Sequence, residues 1–336
     1  MANPGAILAD PSWFPHRYDE QRQIVQFIRL DRDAHRGATF LTDEYLGERE
    51  RTLVPVSALH EFTAPPNPVH FLFHSAFCCS TLLASALDVP GHVFGLKEPQ
   101  IINDLAGAAL RGKRDPDLLH RVLGLLARAE KTVVIKPSNE ANVLIAQMLA
   151  VRPNARALLM SSGLEDFLFS VAKKGMFGRI WVRRQHALLA PRQRLPTGFS
   201  PAEVFQQTDL QIAGMVWLMH RAEFIDLVAG QPQRVRSLDA ADLLAHKRDV
   251  FESVARWFDL GFADRDVDQV MASGRFETHA KELGRTYDAT ARERERVRQE
   301  STYAEEIAMV ANWISAVAGH IGLQPALSSP VHRVAA

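Results

Sequence analysis

Short apolar runs of strand length recur through the middle of the chain. The clearest is Val69–His74 (VHFLFH), and similar runs occupy 92–96, 132–135, 155–160 and 234–238. β-Branched and aromatic residues are frequent in them, which is typical of buried strands. Helical spacing of apolar residues lies between these runs, at 80–87, 116–129, 140–149, 164–174 and 208–229. This alternation predicts an α/β fold, with a mostly parallel sheet covered by helices on both faces.

The two ends of the chain show a different pattern. Tyr18–Leu30 (YDEQRQIVQFIRL) places apolar residues on one helical face, and 240–320 indicates further helices, so we predict helical N- and C-terminal additions. Ala64–Pro68 (APPNP) interrupts regular structure because proline lacks an amide donor. We therefore predict an N-terminal extension over 1–66 packed on the core, a P-loop-like α/β domain over 67–325 and a flexible tail over 326–336.

Composition narrows the class of protein. The chain has 336 residues, of which 47% are hydrophobic, so it can bury a large core and is not disordered throughout. Lys+Arg and Asp+Glu both number 39, and this zero net charge disfavours nucleic acid and membrane surfaces as partners. The apolar runs are shorter than the roughly 20 residues that cross a bilayer, and the N-terminus does not resemble a secretory signal. We expect a cytoplasmic protein that holds any anionic ligand in a local site.

The first strand is followed by a short loop and a helix. In an α/β sheet, ligands bind beyond the carboxyl ends of the strands, where a helix N-terminus offers unpaired amides and a positive dipole end. Ser80 and Thr81 fall at this helix start, where their hydroxyls can cap the helix or bind a phosphate oxygen. The Walker sequence GxxxxGK[ST] is absent, which disfavours an ordinary ATPase or GTPase.

Cys78 and Cys79 are the only cysteines. Adjacent cysteines rarely form a disulfide with each other, and without a companion His–Cys cluster we expect no metal site. A thiolate at a helix N-terminus is stabilised, so a reactive or redox-sensing cysteine is one interpretation. The other is that both residues pack as small apolar side chains.

The segment FLFHSAFCCSTLLASAL resembles the phosphosulfate-binding loop of sulfotransferases. Phe77, Cys78 and Cys79 take the places of that family's basic residue, serine and glycine. The resemblance implies a P-loop fold with 3′-phosphoadenosine 5′-phosphosulfate as co-substrate, bound by residues 77–81. It also implies a small or carbohydrate-like acceptor that offers a hydroxyl or an amine. Four residues match the family pattern: Ser80, Thr81, Leu82 and Leu83.

Two further segments suggest catalytic residues. Lys97–Glu98–Pro99 resembles the family's Lys-Glu pair, which implies Glu98 as general base, although a glutamate at a helix entry is the alternative. Lys136–Pro137 is similar to the segment whose lysine lies near the sulfuryl group, which makes Lys136 the first candidate for the electrophilic helper and Lys97 the second. His74, at the end of the first strand, could orient the substrate, act as the base, or be structural.

The remaining segments concern the nucleotide. Pro153–Met160 with Leu164–Ser170 resembles the region whose arginine and serine bind the 3′-phosphate, and here Ser162 stands at the arginine position and Ser170 at the serine position. A late segment, Phe276–Lys281, is similar to a loop that closes over the nucleotide, which implies roles for His279 and Lys281. A basic cluster downstream could supply the positive charge that the missing arginine would bring to the 3′-phosphate. A solvated basic face explains the cluster equally well. Its members are Lys173, Lys174, Arg179, Arg183 and Arg184.

The sequence therefore suggests sulfuryl transfer from 3′-phosphoadenosine 5′-phosphosulfate to an acceptor hydroxyl or amine. One alternative is a catalytically degenerate P-loop protein that keeps a nucleotide or anion pocket, and Phe77 and Ser162 favour it. A P-loop kinase-like phosphotransferase is a further alternative, which the missing Walker lysine and the lack of an evident magnesium-binding aspartate disfavour. The acceptor's identity and the oligomeric state stay open.

Overall fold

The computed structural model describes residues 3–193, 195–276 and 289–332, with backbone alone for 289–301. Two sheets form, one with the strand order β1–β2–β3 and the other with the order β5–β6–β4–β7–β8. The strands are β1 Trp13–Asp19, β2 Ile24–Arg29, β3 Arg51–Pro55, β4 Val69–His74, β5 Val93–Lys97, β6 Thr132–Lys136, β7 Ala157–Ser161 and β8 Val235–Asp239.

Helices connect and flank the strands. In chain order they are α1 Pro4–Ala9, α2 Arg32–Gly37, α3 Asp43–Leu46, α4 Ser80–Leu87, α5 Gln100–Leu110, α6 Pro116–Ala127, α7 Ile145–Val151, α8 Leu164–Lys173, α9 Gly175–Leu189, α10 Pro201–Gln206, α11 Asp209–Gly230, α12 Ala240–Ala245, α13 Lys247–Phe258, α14 Asp264–Ala272 and α15 Ala289–His320. Short 3₁₀ helices occupy Val56–Glu61 and Asn139–Leu144. Among the described helices, none is long and apolar enough to cross a membrane.

The five-stranded sheet confirms the predicted α/β class. β5 pairs with β6 in parallel, with Lys97 opposite Lys136, and β4 pairs with β6 in parallel, with Phe71 opposite Ile135. β4 has the predicted bounds, whereas β5, β6, β7 and β8 each end one residue later than predicted. The extra residues are polar, so the apolar run stops before the backbone pairing does.

The predicted helix over Tyr18–Leu30 is wrong, because this segment lies in the hairpin of β1 and β2. The two strands pair antiparallel, and β2 also pairs with β3. Val25 and Phe27, two residues apart, are fully buried, whereas Gln26 between them is half-buried. That period of two is the strand signal, and over a short apolar stretch it overlaps with helical spacing.

Two compact units make up the chain. The first comprises Met1–His74, Cys79–Leu158 and Lys247–Thr286, and the second comprises Ser75–Cys78, Leu159–His246 and Tyr287–Ala336. Within the second unit, α8, α9, α11 and α15 share one apolar core. A Cβ on Gly214 of α11 would lie 2.4 Å from Cγ1 of Ile314 on α15, so a larger residue here would force the Ile314 side chain to move.

Candidate functional site

Three adjacent strands of the first unit end in polar residues. β5 ends at Lys97, β6 at Lys136 and β4 at His74, and the strand order places β6 between the other two. Parallel strands present their carboxyl ends at one edge of the sheet, which is where α/β proteins bind ligands. Side chains from this edge form the candidate site.

Lys136, Glu98 and His74 meet at this edge. Nζ of Lys136 forms an ion pair with Oε1 of Glu98 and lies 3.0 Å from Nε2 of His74. Nε2 of His74 is 3.8 Å from the same Glu98 oxygen. The structure thus brings together the three residues that the sequence suggested as base, electrophilic helper and histidine at the strand end.

The members of this cluster differ in access to solvent. The Lys136 side chain has 0% exposure, whereas that of Glu98 is 18% exposed. Removing a charge from water is costly, so the buried ammonium depends on the carboxylate that compensates it. An incoming molecule would therefore meet Glu98 before Lys136.

The backbone at Glu98 fixes its carboxylate beyond the strand. Glu98 has a left-handed φ of 53°, and its N–H donates to the carbonyl of Lys136 at 2.7 Å. A non-glycine residue in this region costs about 1–2 kcal/mol, and such strain is frequent at functional sites. α5 begins only at Gln100, with Pro99 as its N-cap and no acidic residue in its first turn. Glu98 therefore lies one residue before the cap, and both interpretations of it, helix entry and general base, stay predictions.

His74 is held from two sides. Its Nε2 lies 3.1 Å from the carbonyl of Pro137 as well as 3.0 Å from Nζ of Lys136, and its own carbonyl accepts a hydrogen bond from Nδ2 of Asn142 at 3.2 Å. If Nε2 carries the proton it donates to Pro137, and if it does not it accepts from Lys136. Proton movement on His74 is therefore coupled to the hydrogen bonds of the lysine.

Lys97 belongs to a different environment. Its Nζ donates to the carbonyl of Arg36 at 3.1 Å. Burial lowers the pKa of Lys97, and the charges of Arg36 and Lys136 lower it further, while Asp88 opposes this shift. The structure does not bring Lys97 to the Glu98 carboxylate, and its role as second electrophilic helper stays a prediction.

The N-terminal segment contributes a residue that the sequence pattern did not indicate. The ring of Phe40 lies 5.5 Å from Nζ of Lys136, within the range of a cation–π contact. The amide of the next residue, Leu41, donates to the carbonyl of Lys97 at 2.8 Å, and the carbonyl of Leu41 accepts from Gln100 at 3.0 Å. These two bonds fasten the segment between the end of β5 and the start of α5, and no local motif predicts them.

The loop before α4 has an unusual backbone. Ala76, Phe77 and Cys79 have left-handed φ angles of 69°, 50° and 59°. Cys79 is the N-cap of α4, and its carbonyl accepts the amides of Leu82 and Leu83 at 3.0 and 3.3 Å. The first amides of a helix have no acceptor within the helix and can bind an anion. The first two helix residues, Ser80 and Thr81, are buried at this end.

Cys79 thus occupies a conformation that favours glycine, and glycine is the residue that the resembling loop has there. We expect Cys79→Gly to raise the free energy of unfolding by about 1 kcal/mol, because glycine adopts φ near +60° without a Cβ clash. Urea unfolding of the variant measures this. Cys79→Ala, which keeps the Cβ, is the matched control and stays near the wild type. A Cys79→Gly protein less stable than Cys79→Ala would contradict the assignment of strain to this residue.

In the second unit, Phe77 and Cys78 are engaged in packing. The Phe77 ring makes edge contacts with Phe167 and Trp181 at centroid distances of 5.8 and 5.0 Å. Cys78 is 1% exposed, and its Sγ donates to the carbonyl of Met160 at 3.4 Å. The aromatic contacts explain why an apolar residue suits position 77, and the burial of Cys78 favours the packing interpretation over a reactive thiol.

Ser162, at the position where the resembling family has an arginine, lies beside a different arginine. Its carbonyl accepts from Nη2 of Arg221 at 2.8 Å and from Nε1 of Trp217 at 2.9 Å. The Arg221 guanidinium stacks over Trp217 at 4.8 Å and is 3.5 Å from Asp239. Burial lowers the pKa of Arg221, whereas Asp239 and Cys78 raise it. Sequence reasoning missed Arg221 because it lies 59 positions away on α11.

Two arginines of the basic cluster form ion pairs with Asp209. Nε of Arg183 lies 2.6 Å from Asp209, Nη1 of Arg179 lies 3.4 Å from the same carboxylate, and Arg183 also donates to the carbonyl of Gln207. Ser170 is half-buried in the second half of α8 rather than at its N-terminus. His279 and Lys281 lie outside the described residues.

Among the known proteins compared with this chain, matches are found with solved structures and not with family models or curated sequences. No protein-family model and no curated protein matches the sequence. Among solved structures, the chain is similar to the sulfotransferase domain from the curacin biosynthetic pathway, with 13% identity and a TM-score of 0.43 over 78% of this chain and 99% of that domain. It is also similar to the sulfotransferase domain from the Synechococcus PCC 7002 olefin synthase, with 14% identity and a TM-score of 0.44 over 68% of this chain and 89% of that domain.

Proposed function

We propose that the protein transfers a sulfuryl group from 3′-phosphoadenosine 5′-phosphosulfate to a hydroxyl or amine of a small acceptor. The observation that carries the proposal is the Glu98–Lys136–His74 cluster at the carboxyl ends of adjacent parallel strands. In the same unit, α4 follows β4 and begins with Ser80 and Thr81. The cluster supplies a carboxylate for proton transfer, and α4 supplies amides and hydroxyls suited to a phosphosulfate.

Glu98 is suited to the proton transfer. Its side chain reaches solvent while Lys136 behind it is enclosed. In the proposed step the acceptor's proton passes to Glu98, the acceptor oxygen or nitrogen bonds to sulfur, and the bond from sulfur to the phosphate oxygen breaks. The nucleoside bisphosphate leaves with that electron pair. Lys136 balances the carboxylate charge before the step and, from its buried position, acts as a positioning residue.

The donor's phosphate becomes a more strongly charged leaving group during the transfer. The first turn of α4 offers its unpaired amides and the positive end of the helix dipole to this departing phosphate.

A nucleotide-binding protein without turnover is the second candidate, and two observations favour it. Phe77 stands where the resembling family has a basic residue and packs against Phe167 and Trp181. Lys136 has no exposed surface through which to contact a sulfuryl group. A protein of this kind would bind the bisphosphate and transfer nothing.

Binding of 3′-phosphoadenosine 5′-phosphate tests what the two candidates share. We expect the bisphosphate to raise the thermal unfolding temperature more than ATP does, and Ser80→Ala with Thr81→Ala to weaken binding about 10- to 100-fold, since hydrogen bonds to charged groups contribute roughly 1.5–3 kcal/mol. Ser85→Ala, on the same helix, is the matched control and binds as the wild type does.

The outcomes separate the candidates. No binding at millimolar bisphosphate would overturn both of them. Binding accompanied by transfer of labelled sulfuryl to a panel of phenols, sugars and amines supports the sulfotransferase, whereas binding with no transfer to any of them favours the second candidate. Equal weakening by the Ser80, Thr81 and Ser85 variants would remove the α4 N-terminus from the proposed site.

A further inference from the structure

Helix α9 exposes three large apolar side chains. Met176 is 71% exposed, Phe177 68% and Ile180 46%. Residues one turn apart lie on the same side of a helix, so Met176 and Ile180 are neighbours and Phe177 flanks them. A contiguous apolar patch on a surface usually marks an interaction site, whereas single exposed residues do not.

The rotation of α9 is fixed by the residues on its other side. Gly178, Val182, Gln185 and Leu189 are buried. A Cβ on Gly178 would lie 2.2 Å from the carbonyl of Val171 on α8, so this crossing requires glycine. The exposure of the apolar side chains therefore follows from tight packing on the opposite side of the helix.

Cations accompany the apolar residues. Lys174 directly precedes α9, and Arg184 follows Ile180 by one turn, with both side chains exposed. Neither forms an ion pair with a residue in the described part of the chain. Arg183 is 43% exposed although it is paired with Asp209. We call the exposed side of this segment, formed by Lys174, Met176, Phe177, Ile180 and Arg184, the α9 face.

We propose that the α9 face binds the surface of an anionic lipid bilayer. A helix lying in the membrane interface inserts apolar side chains at the level of the headgroups while Lys and Arg contact lipid phosphates. Met176, Phe177 and Ile180 supply the first element, and Lys174 and Arg184 supply the second. The net charge of zero suggested no membrane partner, but this attraction depends on local charges within a Debye length of the surface.

Charge and shape favour lipid over a protein occupant. In a symmetric dimer the same patch faces itself, which would bring Lys174 and Arg184 of two copies together as like charges. The α9 face is the outer side of one helix, and a protein partner would have to supply the groove for it. The surface of an anionic bilayer attracts the two cations, and its fluid headgroup region can take up the protruding apolar side chains.

Vesicle sedimentation of the full chain tests the proposal. We expect binding to vesicles of phosphatidylcholine mixed with phosphatidylglycerol and none to phosphatidylcholine alone, with affinity falling as salt rises. The double variants Met176→Ser/Phe177→Ser and Lys174→Glu/Arg184→Glu should each weaken binding at least about tenfold. The controls are Leu53→Ser, at a 50% exposed position on β3, and Arg22→Glu, at an exposed position after β1, and both bind as the wild type does.

Three results would overturn the proposal. One is the absence of binding to anionic vesicles at low salt while the thermal unfolding temperature shows a folded protein. Another is binding that the α9 variants and the controls weaken equally. The third is a dimer or larger assembly, seen by sedimentation, that Met176→Ser/Phe177→Ser dissociates, because the face would then belong to a second copy of the chain.

Discussion

We expect Glu98→Gln to lower the proposed sulfuryl transfer by about 10²- to 10⁴-fold and to leave the proposed binding of 3′-phosphoadenosine 5′-phosphate intact. The amide has nearly the shape of the carboxylate and can still accept from Lys136, but it cannot take a proton from the acceptor, and that is the contribution of a general base. Single-turnover transfer and equilibrium binding on the same preparation separate the chemical step from donor affinity. We expect the loss to appear in kcat, with the donor Kd within about threefold of the wild type.

Two further variants test whether the expected loss is specific to Glu98. Glu61→Gln makes the same change at an exposed glutamate in the same unit, and we expect it to leave the rate unchanged. His74→Gln tests the histidine as the alternative base, and a loss there that exceeds the loss in Glu98→Gln would transfer the assignment to His74. Transfer by Glu98→Gln at the wild-type rate would remove the carboxylate from the mechanism.

The sequence allows the prediction that Glu98 and Lys136 lie at the same edge of the sheet. Lys136 ends an apolar run and Glu98 follows one, and carboxyl ends of neighbouring parallel strands share an edge. The loop before α4 was recognisable for a similar reason, since a buried strand, small residues and a helix follow one another directly. Local sequence patterns therefore predict those site residues that end a strand or come directly after it.

Contacts between residues that are far apart in the sequence could not be predicted from local patterns. Phe40 reaches Lys136 because Leu41 forms backbone bonds with the end of β5 and the start of α5, and Arg221 reaches Ser162 because of how α11 packs. The β1–β2 hairpin was mistaken for a helix because cross-strand partners, rather than its own spacing, determine its conformation. The sequence does not indicate the left-handed backbone at Glu98, because positive φ is typical of glycine and not of glutamate.

The ion pair between Lys136 and Glu98 predicts an asymmetric effect on stability. Lys136 is fully buried, whereas Glu98 is partly exposed. Glu98→Gln leaves an ammonium enclosed without its counter-charge, and we expect it to lower the free energy of unfolding by about 3 kcal/mol. Lys136→Met leaves a carboxylate that can turn toward water, so we expect a smaller loss of about 1–2 kcal/mol. Urea unfolding of each variant at neutral pH measures the two changes.

The double variant Lys136→Met/Glu98→Gln distinguishes a coupled pair from two independent residues. With no charge left to compensate, we expect it to lose less stability than the sum of the single variants, with a coupling of about 1–3 kcal/mol. Additive losses would mean that the carboxylate does not compensate the ammonium. A Lys136→Met protein less stable than Glu98→Gln would show that the carboxylate, rather than the lysine, is the charge that cannot reach water. Additivity would also contradict the proposed role of Lys136 as a positioning residue that acts through the Glu98 carboxylate.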